Sequence, residues 1–313
     1  MKQVICSLTF VLAILCGGLK AQTPSALFKE AQEKHKAKAY KDADKLYTRA
    51  IALAPDSFEF YLGRERNYIA LNMAEECFKD INTAIHLQPK NSEGYFERGM
   101  FYYSIHNMDK AIIDLNQAME YTTTDSMRVK TYVNLASCKI EKRDFKSAID
   151  DCHKGLAIDS LNIGIMNNLA MSLDEAGQGA ETLKYLKKVV KIDSTAEYAV
   201  MNIGFYLSKE GKYAESLPYF DKAVKMVPTD PYAYNNRGNS KMNIKDYDGA
   251  MDDINYSIKL NPGNSYAYRN RALVYKALGK KKKECEDLEK ALQLNFTSQY
   301  GKEVDELVKT DCY

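Results

Sequence analysis

The sequence is short of several residue types, and each shortage excludes something. Its 313 residues include no Trp, 7 Pro and only 4 His. Few prolines favour uninterrupted helices, and 4 His with 7 Cys leave few candidates for a metal site or a nucleophile. Neither sign of charge is in excess, because 44 Lys and Arg face 42 Asp and Glu. The chain therefore lacks the basic field that non-specific nucleic-acid binding requires, and no nucleic-acid partner is expected.

Long apolar runs are also scarce, and the one that stands out is at the N-terminus. Residues 4–15 are apolar and follow Lys2, but a membrane span requires roughly 20 such residues. We expect residues 1–21 to be a secretory signal peptide that is cleaved after Ala21. A lipid-bearing Cys16 is the less favoured alternative, because the bulky Leu15 precedes it. A third alternative makes this segment the first helix of a cytosolic fold.

The rest of the composition, 45% hydrophobic and 27% charged, is ordinary for a folded soluble chain. No later apolar run has spanning length, so we expect no membrane span after residue 21. Without the first 21 residues, 42 charges of each sign remain. The signal and composition are typical of bacteria, and the expected location is the periplasm or cell envelope of a Gram-negative bacterium.

A repeat of 34 residues accounts for nearly all of the remaining chain. Two pairs of prolines and one pair of serines have this spacing, with one extra gap of three residues between the third and fourth units. We place the three-residue insertion at 126–128, in the loop-like stretch 122–126. The recurring residues are Pro55, Pro89, Ser160, Ser194, Pro228 and Pro262. The units are 24–57, 58–91, 92–125, 129–162, 163–196, 197–230, 231–264 and 265–298.

Each unit has the pattern of two antiparallel helices. Position 8 on the first helix and positions 20 and 27 on the second are mostly Ala or Gly, which lets the helix axes approach closely. Larger apolar residues recur at positions 4, 11 and 24 at helical spacing. Glu65 and Glu284 depart from the small positions, and we expect Glu284, in the last unit, to be incompletely covered.

The unit length, the small positions and the Pro at position 32 resemble the tetratricopeptide repeat, and the segment 232–262 is similar to it throughout. The resemblance covers residues 24–298. It implies eight repeats in an all-α, right-handed solenoid, a superhelix whose first helices line the concave side. Residues 299–313, with Val304, Leu307 and Val308 at helical spacing, are expected to form a capping helix over the end of the stack.

No residue has the pattern of catalytic or cofactor chemistry. The four His fall at different positions of four units, and there is no Gly-rich phosphate loop. We therefore expect a non-enzyme with no cofactor and no metal ligand. Of the cysteines after residue 21, Cys77 and Cys152 occupy core positions as free thiols. A Cys138–Cys152 bridge is disfavoured, and Cys312 is expected to be exposed.

Position 6 of five consecutive units is Asn, about 200° around the first helix from the core stripe. A carboxamide donates and accepts, so it can pair with a peptide bond whatever the side chain. The row resembles the one along the inner groove of peptide-binding tetratricopeptide superhelices. The alternative is Asn inherited through repeat duplication without a role. The residues are Asn134, Asn168, Asn202, Asn236 and Asn270.

Other residues of the same face favour binding near the last three units. Position 2 is Tyr in each of them, and rigid aromatic side chains with Asn and Arg are typical of binding surfaces. The alternative is that these Tyr side chains pack along neighbouring first helices. Arg64, Arg98, Arg237 and Arg271, at position 7, are expected to pair with carboxylates in a structural role. The candidate contacts are Tyr198, Tyr232, Tyr266, Asn235, Asn239 and Arg269.

The expected function is a non-catalytic scaffold for protein–protein interaction. An extended segment of another protein would lie along the concave groove from Asn134 to Asn270. One alternative is a structural adaptor of an envelope complex that docks through its outer face or its ends. Another is a regulatory subunit of an envelope enzyme.

Overall fold

The computed structural model describes residues 22–313, and within that range it contains eighteen α-helices and no β-strand. The all-α repeat class is therefore confirmed, while the hand of the superhelix stays a prediction. The predicted signal peptide and the alternative lipid site at Cys16 lie outside the described residues. Within residues 22–313, no helix combines the length and the apolar character that crossing a bilayer requires.

The described chain divides into two compact units, residues 22–105 and residues 106–313. Within each compact unit, the two helices of a 34-residue repeat pack against each other across a short turn. In the first unit the helices are α1 (Pro24–Lys36), α2 (Tyr40–Leu53), α3 (Phe58–Ala70), α4 (Ala74–Leu87) and α5 (Ser92–Ser104).

The second unit begins with α6 (Met108–Tyr121) and then contains five first helices, each followed by its second helix. The first helices are α7 (Asp125–Glu141), α9 (Ile163–Glu175), α11 (Glu197–Lys209), α13 (Pro231–Asn243) and α15 (Ser265–Ala277). The second helices are α8 (Phe145–Ile158), α10 (Gly179–Ile192), α12 (Tyr213–Met226), α14 (Tyr247–Leu260) and α16 (Lys281–Gln293).

The insertion that the sequence places in a loop is part of a helix. Helix α7 has 17 residues, whereas the other first helices have 13. Residues 126–128 lie in its first turn, and the Thr124 hydroxyl accepts a hydrogen bond from the N–H of Met127. The three extra residues therefore lengthen the helix at its N-terminus, because a capping residue directly precedes them.

The turn between the two helices of a unit has one backbone geometry throughout. Position 15 is left-handed in every unit, with φ between 56° and 76°. In seven of the eight units the next residue donates its N–H to a carbonyl five residues back, as Asp246 does to Lys241 at 2.9 Å, and this bond satisfies the end of the helix. The residues at this position are Lys38, Asn72, His106, Arg143, Gly177, Gly211, Lys245 and Gly279.

The small residues at position 8 are required by close packing. A Cβ added at Gly204 would lie 2.7 Å from Phe220, and one added at Gly238 would lie 2.7 Å from Ile254. Both partners are fully buried residues of the second helix of the same unit. The first helix therefore lies against the second helix without room for a side chain at these two positions.

Ion pairs at position 7 fix the two helices of a unit to each other. Three arginines each donate two hydrogen bonds, of 2.6–2.8 Å, to the carboxylate sixteen residues later. The pairs are Arg64–Asp80, Arg237–Asp253 and Arg271–Asp287. Arg98 donates to Asn82 at 2.9 Å. The expected structural role of the three paired arginines is confirmed.

The C-terminal segment forms two short helices, α17 (Phe296–Tyr300) and α18 (Glu303–Asp311), instead of one. The break follows Gly301, whose φ is 94°. Buried Phe296, Val304 and Val308 cover the apolar side of the last repeat. Glu284 is consequently only 3% exposed, which corrects the expectation that it would be incompletely covered.

The cysteines differ from the expectation at the C-terminus. Cys285 and Cys312 form a disulfide with Cα atoms 5.7 Å apart, so Cys312 is half-buried and bonded instead of exposed. The second helix of the last unit and the end of α18 meet only because the C-terminal segment folds back. Cys77 and Cys152 are buried free thiols, as expected, and Cys138 is a third. Burial raises the pKa of all three thiols, for example that of Cys138 to about 11.

Candidate peptide-binding face

The candidate site lies in the second unit, on the surface formed by the first helices α7, α9, α11, α13 and α15. We call this surface the first-helix face. The predicted row of Asn side chains at position 6 lies along it, but its members have different surroundings. Asn134 and Asn202 are half-buried, and each donates to the carbonyl four residues back in its own helix at 2.9 Å. Their side-chain oxygens accept no hydrogen bond from a described residue and remain acceptors for a ligand.

Asn168 links two neighbouring first helices. Its amide donates to the Val133 carbonyl and to the Ser137 hydroxyl, both on α7, at 3.0 Å. Its nitrogen is therefore already occupied by the protein. Asn168 therefore has a structural role, because it ties its own first helix to that of the preceding repeat. Position 6 of one repeat contacts position 5 of the repeat before it.

Asn270 and Asn235 are not available to a ligand. Asn270 is fully buried, Asn235 is 2% exposed, and the Asn270 amide donates to the Asn235 side-chain oxygen at 2.9 Å. Arg269 in turn donates to the side-chain oxygen of Asn270 at 2.8 Å. Both predicted contacts therefore lie behind the surface in this structure, because position 5 of α13 and position 6 of α15 face each other between the helices.

The Tyr residues at position 2 also differ in exposure, since two are exposed and one is covered. Tyr198 is 47% exposed and Tyr232 is 53% exposed. Tyr266 is half-buried, and its ring stacks on Phe296 at 5.6 Å and meets Tyr300 edge-on at 5.0 Å. Arg269 pairs with Glu303 of α18. Tyr266 and Arg269 thus also hold the C-terminal segment, whereas Tyr198 and Tyr232 are open to contact.

A cavity of about 280 Å³ opens on the first-helix face between α11, α13 and α15. It brings together Asn236, Asn239 and Tyr266, three of the residues predicted from the sequence. Four residues that the sequence analysis missed complete its lining: Phe205, Ser208, Lys209 and Phe220. Three of these lie on α11 at i, i+3 and i+4, which is one side of a helix. That spacing is the signal that would have found them.

The floor of the cavity is fixed by packing and hydrogen bonds. Phe220 is fully buried and lies against Gly204. The hydroxyl of Ser208 is 2.9 Å from that of Ser240, which is 2.8 Å from that of Ser216. Because these hydroxyls satisfy each other, the polar groups left for a ligand are at the rim.

Charge is distributed unevenly along this face. Partial burial and the Asp174 carboxylate on α9 raise the pKa of Tyr198, and the same two causes raise that of Tyr206. Lys209 is exposed, lies 6.0 Å from the centroid of the Tyr206 ring and lines the cavity. None of the described residues that line the cavity is acidic. Its rim is therefore positive, whereas the neighbouring unit contributes the negative charge.

Three segments of the chain match models of the tetratricopeptide repeat: residues 163–192, 203–265 and 265–298. The chain is a tetratricopeptide repeat protein. The matched segments include α13, α15 and the part of α11 that lines the cavity, so all the cavity residues lie within segments that match the family models. Among curated protein sequences, none matches the chain. No group of three or more His, Cys, Asp and Glu side chains in the described part of this tetratricopeptide repeat protein is placed to hold a metal ion.

Solved structures support the fold. PilW, described as a widely conserved type IV pilus biogenesis factor, is 16% identical with a TM-score of 0.59, over 66% of this chain and 94% of its own. A tetratricopeptide repeat protein from Parabacteroides merdae is 16% identical with a TM-score of 0.56, over 80% and 98%. YrrB, described as having an unusual peptide-binding site, is 20% identical with a TM-score of 0.53, over 60% and 95%.

Proposed function

We propose that this protein is a non-catalytic scaffold that binds an extended segment of another protein along the first-helix face of its second unit, in a concave groove. The observation that carries the proposal is the cavity, where side chains from three successive repeats meet around open apolar and donor groups. Exposed Tyr198 and Tyr232 extend the contact surface beside it. Among the structural neighbours, YrrB is described as a tetratricopeptide repeat protein with an unusual peptide-binding site, which supports the proposal of a peptide site on this fold.

Each proposed polar contact keeps one hydrogen-bonding group for a ligand. This group is the side-chain oxygen of Asn202, whose amide donates to the Tyr198 carbonyl, and the side-chain nitrogen of Asn236 and Asn239. Asn202, Asn236 and Asn239 are half-buried at the surface, and carboxamides there can pair with the main chain of an extended segment. Phe205 and the two tyrosines supply rigid contact area at low entropic cost. Asn168, Asn235 and Asn270 act behind this surface by holding the helices together.

Site-specific photo-crosslinking tests the proposal. A photoreactive phenylalanine replaces Phe205, which lines the cavity and is 45% exposed. The matched control replaces Tyr256 on the second helix α14, which is 38% exposed. We expect a partner from an extract of the source cells to crosslink at position 205 and not at position 256.

The opposite pattern favours the alternative functions. Crosslinks at position 256 alone would place the partner on the outer helices, as a structural adaptor or a regulatory subunit of an envelope enzyme requires. Such a result would overturn groove binding.

We also infer that the protein is exported and that residues 1–21 are removed. The Cys285–Cys312 disulfide supports this location, because disulfides persist in oxidising compartments and are rare in the cytosol. The periplasm or cell envelope of a Gram-negative bacterium remains the proposed site. N-terminal sequencing of the protein from fractionated cells should give Gln22 as the first residue, and a chain that keeps residues 1–21 in the cytosol would contradict it.

A further inference from the structure

We propose that the cavity on the first-helix face selects a segment with a large apolar side chain and a carboxylate close to it, and that Lys209 is the residue that recognises the carboxylate. This inference names the ligand chemistry of the proposed peptide site and rests on the proposed function. It does not follow from the repeat pattern, because position 13, where Lys209 lies, has a different residue in the neighbouring repeats.

The size and lining of the cavity point to one large side chain. Its volume is about 280 Å³, and pockets for small molecules span roughly 300–1,000 Å³. Phe205, Phe220 and Tyr266 supply aromatic walls. Two of the walls are held from behind, since Phe220 lies against Gly204 and Tyr266 stacks on Phe296. A preformed apolar cavity of this size fits an aromatic or long aliphatic side chain.

The rim supplies donors for an acceptor group. Lys209 carries a full positive charge, and no carboxylate of the described residues lies within salt-bridge distance of it. The acid that follows Lys209 in the chain and the acid at the same position of the preceding repeat are already paired. Glu210 pairs with Lys212 at 2.8 Å, and Glu175 pairs with Arg143 at 3.2 Å.

Two carboxamides at the cavity add hydrogen-bond donors to the Lys209 ammonium. The side-chain nitrogens of Asn236 and Asn239, which also line the cavity, make no hydrogen bond to an acceptor among the described residues. Together with the Lys209 ammonium they place three donor groups around one opening. A carboxylate with its two oxygens is the group that satisfies such a set, through charge-assisted hydrogen bonds.

Charge complementarity therefore decides which segment fits. A basic segment would meet Lys209 with a like charge, whereas an acidic side chain or a C-terminal carboxylate would pair with it. Asp174 and Glu175 carry negative charge on α9, one repeat before the cavity. An acidic group of the ligand is thus favoured at the α11–α13 side of the face and disfavoured at α9.

A displayed library of random dodecapeptides, selected on the full chain, tests this inference. We expect the enriched peptides to share a large apolar residue with Asp, Glu or the free C-terminus within two or three positions. The same selection on a Lys209→Glu variant should lose the acid and enrich Lys or Arg in its place. The matched control is Lys225→Glu on α12, an exposed position outside the cavity, and it should keep the acidic preference. Circular dichroism checks that each variant is folded.

A quantitative version uses one enriched peptide and its Asp→Asn or Glu→Gln form. Removing the acid should weaken binding about two- to five-fold for the wild type, as for an exposed ion pair. It should strengthen binding to Lys209→Glu, because the acid there meets a like charge. An acidic preference that persists in Lys209→Glu, or peptides without an apolar residue, would overturn the inference while groove binding stands. Enriched peptides that bind equally well to an Asn202, Asn236 and Asn239→Ala variant would instead overturn the proposed function.

Discussion

Replacing Glu65 with Gln should stabilise the first unit in a pH-dependent way. Glu65 occupies the small position 8 on α3 and is 1% exposed. One carboxyl oxygen is 3.7 Å from the Cys77 thiol, and the other makes no hydrogen bond among the described residues. Burial, with a smaller contribution from the Glu97 carboxylate, raises the pKa of Glu65 to about 8. The folded chain therefore holds this carboxyl neutral at pH 7.

The size of the effect follows from the difference between the folded and unfolded states. The unfolded chain ionises at the ordinary pKa of 4.5 and the folded chain at about 8. Between these values the unfolded state releases a proton that the folded state keeps, so stability falls by about 1.4 kcal/mol for each pH unit. The loss reaches about 3 kcal/mol at pH 7 and about 4 kcal/mol at pH 8, and it levels off near about 5 kcal/mol at higher pH. Gln cannot ionise, so the Glu65→Gln variant escapes this loss.

Urea unfolding followed by helical circular dichroism, from pH 4.5 to pH 9, measures the difference. We expect wild type and Glu65→Gln to be similar near pH 4.5 and to separate steadily up to pH 8, with the variant more stable. Glu59→Gln is the matched control, because Glu59 lies on the same helix and is exposed. If the free energies of unfolding of wild type and Glu65→Gln changed with pH in parallel, the prediction that the buried Glu65 carboxyl is neutral would be refuted.

Three further substitutions test the packing. Cys285→Ser opens the 27-residue link to Cys312 and should cost about 3.5 kcal/mol of the free energy of unfolding; an unchanged unfolding curve would contradict it. Lys245→Gly removes a side chain from a residue with φ of 69° and should raise the free energy of unfolding by about 0.5–1 kcal/mol. Thermal unfolding measures this change, and a less stable variant would contradict the prediction. Gly204→Ala forces a Cβ to within 2.7 Å of Phe220 and should cost about 1–3 kcal/mol. The Gly204→Ala variant should also bind the peptide more weakly, because Phe220 lines the cavity. A variant as stable as the wild type would contradict the tight packing of Gly204 against Phe220.

The periodic features of the fold could be predicted from the sequence because they depend on contacts that recur every 34 residues. The small residue at position 8 and the Arg at position 7 each meet a partner at a constant separation in the same unit. Arg237 and Asp253 are sixteen residues apart, as are Arg271 and Asp287. The structure of the C-terminal segment depends on contacts without a period, so its two helices and its disulfide were not foreseen.

The candidate site was only partly predictable for a related reason. The angle of a residue around its own helix shows that it points away from that helix's core, but not whether the next helix covers it. Asn202 and Asn236 remain at the surface, whereas Asn270 has the same angle and is buried against Asn235. Phe205 and Lys209 were missed because neither belongs to a row of like residues.

Calorimetric titration tests the central claim most directly. The titrant is the segment identified by crosslinking at position 205, and the proteins are the wild type and the Asn202, Asn236 and Asn239→Ala variant. Asn116→Ala, an exposed position on the second helix α6, is the control. Loss of three net hydrogen bonds predicts a roughly ten-fold or greater rise in Kd for the triple variant and no change for the control. An equal Kd for all three folded proteins would contradict binding along the first-helix face.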